Sequence, residues 1–303
     1  MGKEKYFWVL HTLVFFNSAV PLIVINISLS SFEIVFLRTL MAVLFLYLFI
    51  YLKKEHINLP LKNSVYYLLS GIFTSAFWIT LIYCAKISNA SVTLVGLATT
   101  PLWVSFINPI LGIERLSFHK IMIGLCAVFG IYMIFNSGFQ HHIGLVLAIT
   151  CGLMSAILNI SNAKLAKKNN NLQLALYQMI GAFIGTVIFA VCSGNTALLV
   201  QKPSLYDFTI IAAITFLFSI ISYLMLLQIL KYISPFNVSL AFNLSPIYGS
   251  LLALILSSRT ETMNIYFYSG TIIIVFSVFA YPIAKYIHAE QDESLKREKI
   301  NAS

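Results

Sequence analysis

The stretch AKISNASVTLVGLATTP, residues 85–101, has a counterpart in LKYISPFNVSLAFNLSP, residues 230–246. In each, a lysine precedes a proline by fifteen residues: Lys86 and Pro101 in the first, Lys231 and Pro246 in the second. The two stretches are offset by 145 residues in a chain of 303. Aromatic residues follow the same offset, Trp78 with Tyr223 and Trp103 with Tyr248. The chain therefore reads as one unit written twice, with residues 1–140 as the first copy, 141–285 as the second and 286–303 as a charged tail.

Working outward, 59% of the residues are hydrophobic and only 10% are charged, an apolar excess that a soluble domain cannot hide. About 20 apolar residues are needed to cross a bilayer. Such runs fall near 6–25, 32–52, 64–84, 90–111 and 119–136, and again near 143–163, 172–192, 207–230, 235–257 and 265–285. Lys3 and Lys5 precede the first run as in a signal peptide, but the run passes Pro21 without a small-residue cleavage site and is read as a retained span. The expected fold is an all-α integral membrane protein of ten transmembrane helices. An odd number of spans per copy enters the bilayer in opposite directions, so the copies form two inverted five-helix repeats, the architecture of alternating-access transporters.

Lysine and arginine set the orientation. With both termini cytoplasmic, fifteen cations from Lys3 to Lys299 lie inside, and only Lys86, Lys202 and Arg259 lie outside. The net charge of +9 is thus a topology signal, and no nucleic-acid partner is expected, because the cations are scattered over short loops. Those loops also leave no room for a soluble catalytic domain. Cys84, Cys126, Cys151 and Cys192 sit in apolar runs without paired or metal-ligand spacing. His141 and His142 are loop neighbours, poor geometry for a metal. No Walker loop, zinc-protease helix or serine elbow is present, so no catalytic residue, metal or cofactor is expected.

What remains is polar and aromatic residues within spans, where they are costly and face a cavity or a partner helix. Thr93, Gly96 and Thr100 share one stripe of the fourth span; Ser239, Asn243 and Ser250 share one in the ninth; Ser155, Asn159 and Asn162 share a face of the sixth. Helix-helix hydrogen bonding is the alternative for each residue alone. As a converging set they point to a cavity lined by Asn17, Trp78, Thr100, Trp103, Asn159, Tyr223, Asn243, Ser245 and Tyr248. A mid-span proline frees the carbonyl four residues earlier, here Leu97 and Phe242, so Pro101 and Pro246 are either ordinary kinks or hinges beside that cavity. Arg38 lies about two turns into the second span and needs a partner. Glu33, five residues away, is poorly placed to be one. Arg38, His11 and Glu33 are candidates for anion binding or ion coupling, with structural anchoring of Arg38 equally open. Lys86 and Lys231, at span ends, are read as interface anchors. Gly181 and Gly185 form a small-xxx-small pair suited to close helix contact.

These residues carry a resemblance to the EamA family of the drug/metabolite transporter superfamily. The first copy has Ser31 and Arg38 opening the second span, Ala85-Lys86 with Ala90, Pro101, Glu114, and Gly124 with Gly130. The second has Leu230-Lys231, Pro235, Pro246, Glu261 and Gly270. The ordered set covers essentially the whole chain. In the first span, Phe16-Asn17-Ser18-Ala19 stands where members commonly place tryptophan and glycine. The resemblance implies a ten-helix carrier of the cytoplasmic (inner) membrane with a central cavity, moving small organic metabolites such as amino acids, frequently outward. The expected partners are a small-molecule substrate and the lipid bilayer. A homodimer stays open, as do proton coupling, exchange and facilitated transport. The rival readings are a membrane enzyme acting on lipid or prenyl substrates, which would need clustered acids or nucleophiles, and a non-transporting accessory protein.

Overall fold

The computed structural model describes residues 3–54, 61–135, 142–194 and 203–256, together with a few helical positions between 265 and 276. Every regular element among them is helical. In chain order these are α1 (Lys3–Asn17), α2 (Val20–Val24), α3 (Ser31–Leu52), α4 (Leu61–Ile87), α5 (Ala90–Leu97), α6 (Thr100–Ile110) and α7 (Phe118–Phe135). They continue as α8 (His142–Lys168), α9 (Asn171–Cys192), α10 (Leu205–Ile214), a π-helical stretch Thr215–Ile221, α11 (Ser222–Tyr232), α12 (Pro235–Phe242) and α13 (Ser245–Leu256). Helix starts use the expected chemistry. Ser30 and Glu33 form a capping box on α3, and the side chains of Asn89, Asn170, Ser204 and Ser234 cap α5, α9, α10 and α12.

Seven stretches are long and apolar enough to cross a membrane: Lys5–Val24, Ser31–Leu52, Ser64–Ile87, Val92–Ile110, Ile143–Lys168, Asn171–Cys192 and Leu205–Tyr232. The chain is a multi-pass membrane protein. The seven coincide with the expected spans one to four and six to eight. The apolar part of the fifth, Phe118–Gly130, is shorter, and the ninth is divided between α12 and α13. Most of the expected tenth span, with Glu261 and the tail 286–303, lies outside the described residues.

At Pro101 and Pro246, read as kinks or hinges, the helices break outright. Pro101 cannot donate a backbone hydrogen bond, and its ring opposes the Leu97 carbonyl. The helix therefore ends at Leu97, turns through Ala98 and Thr99, and restarts at Thr100, whose hydroxyl donates to the Leu97 carbonyl at 2.5 Å. The second copy repeats the bonds of this turn. Ala98 N–H donates to Val95 O at 3.0 Å and Asn243 N–H to Leu240 O at 3.1 Å. Thr99 to Gly96 is matched by Leu244 to Ala241, and Leu102 to Thr99 by Ile247 to Leu244, all at the 145-residue offset.

The core runs between the copies. α4 packs extensively on α9, and the backbones meet at glycines. A Cβ on Gly71 would collide with the Gln178 carbonyl, and one on Gly181 with the Leu68 carbonyl, so only glycine lets the helices approach this closely. Lys86 and Lys231 do more than reach an interface. Lys86 Nζ donates to the Ile27 and Leu29 carbonyls, both at 2.6 Å, tying α4 to the α2–α3 connection. Lys231 Nζ donates to the Asn169 carbonyl at 3.3 Å, tying α11 to the α8–α9 connection. Beside the first tie, the Ser28 hydroxyl donates to Asp207 at the start of α10.

Candidate functional site

A cavity of about 160 Å³ lies among the spans, bordered by both helix breaks. The first copy supplies Asn17 from α1, Arg38 from α3, Trp78 from α4, and Leu97 and Thr100 from the two sides of its break. The second supplies Asn159 from α8, Tyr223 from α11, and Phe242 and Ser245 from the two sides of its own break. Leucines, phenylalanines, a valine and Pro21 fill most of the remaining wall.

One side of the cavity is a closed polar ring. Asn162 Nδ2 donates to the Tyr223 hydroxyl at 3.3 Å, the hydroxyl donates to Gln178 Oε1 at 2.9 Å, and Gln178 Nε2 donates back to Asn162 Oδ1 at 2.8 Å. Gln178 Nε2 also donates to Ser70 Oγ at 2.9 Å, which fastens the second-copy ring to α4. Each member satisfies another, as a buried amide requires. Asn159 Nδ2 donates to Ser239 Oγ at 3.2 Å across α8 and α12.

Arg38 also lines the cavity. It is 3% exposed, its guanidinium carbon stands 4.5 Å from the centre of the Trp78 ring, and its Nε and Nη2 donate to Ser219 Oγ at 3.1 and 2.9 Å. Ser219 is on the π-helical stretch, which packs against α3. Widened turns of this kind occur frequently at functional sites. Glu33 is not the partner of Arg38: its carboxylate accepts from Ser30 N–H at 2.6 Å within the cap of α3. Glu114 is likewise engaged away from Arg38, in an ion pair with Lys120.

The remaining sequence candidates lie elsewhere. The Trp103 indole donates to Thr99 Oγ1 at 3.2 Å, and its ring packs with the α1–α12 apolar cluster. Tyr248 meets Phe15 edge to face, with ring centres 5.5 Å apart. Asn243 is 1% exposed at the second break, with neither amide atom hydrogen-bonded, and does not line the cavity. His11 contacts the edge of Phe7 and is likewise absent from the lining. Pro101 and Pro246 stand at the second positions of α6 and α13, adjacent to lining residues. Gln178, Thr74 and Ser219 were not picked out from sequence. Each is a polar residue within a long apolar run, and that isolation was the signal available.

Known proteins place this architecture. The EamA-like transporter family matches the chain twice, over residues 5–136 and 142–281, in agreement with the duplication at the 145-residue offset. No curated protein sequence matches. Among solved structures 28 chains match; one, described only as a crystal structure of a protein, aligns with TM-score 0.66 over 91% of this chain and 96% of its own, at 12% identity. At that identity the likeness is one of fold. With both halves of the chain matched, this protein belongs to the EamA-like transporter family.

Proposed function

We propose that the chain is a secondary transporter that moves a small organic metabolite, an amino acid or related solute, across the cytoplasmic membrane by alternating access. The observation that carries this reading is the cavity: it is lined from both copies and bordered by both matched helix breaks. Broken helices at membrane depth are tolerated where they line a cavity, and transporters place their substrate sites there. In this account ten helices form two inverted repeats, both termini are cytoplasmic, and the halves rock about the cavity. Pro101 and Pro246 hold the breaks at which that movement turns. The volume of about 160 Å³ is comparable to a protein cavity of roughly 150 Å³ that takes up benzene. That volume suits a solute of about one ring or one small amino acid.

The test is comparative metabolite profiling of cells and medium with and without the protein, followed by flux of the shifted solutes in proteoliposomes. A small polar or amphipathic solute should redistribute and then cross only protein-containing vesicles. Unchanged profiles together with sealed vesicles would remove the transport reading.

A further inference from the structure

We infer that the cavity takes an organic anion, a carboxylate carried on an apolar body of about one ring, with Arg38 as its counter-charge. This rests on the transport reading only in treating the cavity as the solute site. The inference begins with an electrostatic imbalance. Arg38 lines the cavity while 3% exposed, and a guanidinium carries five N–H donors and a full charge. Its hydrogen bonds reach a single neutral oxygen, Ser219 Oγ. A buried charge of this kind is normally paired.

The nearby acids are committed elsewhere. Glu33 closes the capping box of α3, and the Asp207 carboxylate accepts from both the N–H and the hydroxyl of Ser28. The described lining contains no aspartate, glutamate or histidine. The cavity therefore holds one fixed positive charge and no negative one, and a carboxylate is the group that matches a guanidinium in shape and hydrogen bonding.

The surroundings of Arg38 favour this use. Trp78 lies against the guanidinium at 4.5 Å, and Ser219 fixes it from the second copy, so the cation is oriented before any solute arrives. Preorganised donors lose little freedom on binding. Most of the remaining exposed wall surface is apolar, with Phe77, Leu94, Leu97, Phe218 and Phe242 positioned to cover a hydrocarbon body, and its polar residues, Asn17 and Asn159 among them, carry no charge. A dianion would set its second negative charge against a wall with no second cation, which is costly.

The test uses the full chain purified in detergent and three single-ring probes of similar size: benzoate, benzamide and benzylammonium. Isothermal titration calorimetry on the unmodified protein should place benzoate at least ~10-fold tighter than either other probe, since a charge-assisted bidentate pair forms only with the anion. Arg38→Gln should bring benzoate to within about 2-fold of benzamide, and Arg38→Lys should keep the order with weaker benzoate binding. Size-exclusion profiles identify folded variants; if Arg38→Gln does not fold, the probe order on the unmodified protein and on Arg38→Lys decides. Benzamide or benzylammonium binding as tightly as benzoate, no benzoate binding, or an anion preference that survives Arg38→Gln would overturn the inference. Flux separates this from the transport reading. A cation or neutral solute carried through the cavity would refute the anion assignment and leave transport standing, whereas benzoate binding without flux of any solute would do the reverse.

Discussion

Replacing Gln178 with Leu tests whether the polar ring that joins α8, α9 and α11 is closed. The side chain makes three hydrogen bonds: from the Tyr223 hydroxyl at 2.9 Å, to Asn162 Oδ1 at 2.8 Å and to Ser70 Oγ at 2.9 Å. Side-chain hydrogen bonds within membranes average about 0.6 kcal/mol, so Gln178→Leu should cost about 2 kcal/mol. Tyr223→Phe removes the donor to Gln178 and the acceptor of Asn162 Nδ2, and should cost about 1 kcal/mol on the same scale. Because the ring is closed, the two changes share a bond and a partner. The double variant should therefore be less damaging than the sum of the single ones by about 0.5–1 kcal/mol. Reversible unfolding in mixed micelles, with the four variants in one cycle, reads this coupling. Additive effects within about 0.3 kcal/mol would refute a closed ring.

Other changes separate the cavity wall from the packing around it. Trp78→Ala should weaken apparent affinity for the transported solute by about 5–30-fold in a flux assay, the effect of losing an aromatic contact of one to two kcal/mol. Trp103→Ala should leave that affinity within about 2-fold, because a ring outside the cavity adds nothing on the scale of those aromatic contacts. Gly71→Ala should lower the unfolding midpoint, at a cost of about 1–3 kcal/mol from overpacking against the Gln178 carbonyl. Equal stability there would show that α4 and α9 are not in close backbone contact.

Much of this molecule was legible in the sequence because membranes simplify the code. Apolar runs mark spans, and Pro101 and Pro246 mark where a helix cannot continue. That each proline would break its helix outright was not legible. The break depends on Thr100 capping the Leu97 carbonyl and on a tight turn at Ala98 and Thr99 that residue order alone does not reveal. The Trp78 and Tyr223 pair reached the cavity, and the Trp103 and Tyr248 pair did not. Both pairs obey the same offset, so periodicity could not separate them; the direction of each side chain around its helix decides. Arg38 plainly needed a partner, but its acceptor is 181 residues away on a π-helical stretch, which shifts Ser219 off the face that a regular helix would give it. Lys86 and Lys231 looked like surface anchors because their bonds go to carbonyls, and a carbonyl leaves no trace in residue identity.

The central claim is that the cavity opens in turn to each side of the membrane. Ser155 lines it from α8, and Ser155→Cys in a chain whose four cysteines, Cys84, Cys126, Cys151 and Cys192, are replaced by serine gives one reporter thiol. A small, charged, membrane-impermeant thiol reagent is then applied to right-side-out and inside-out vesicles, with and without the transported solute. The account predicts labelling from both sides, at rates that the solute changes in opposite directions or slows together. Labelling from one side only under every condition, or from neither, would contradict it.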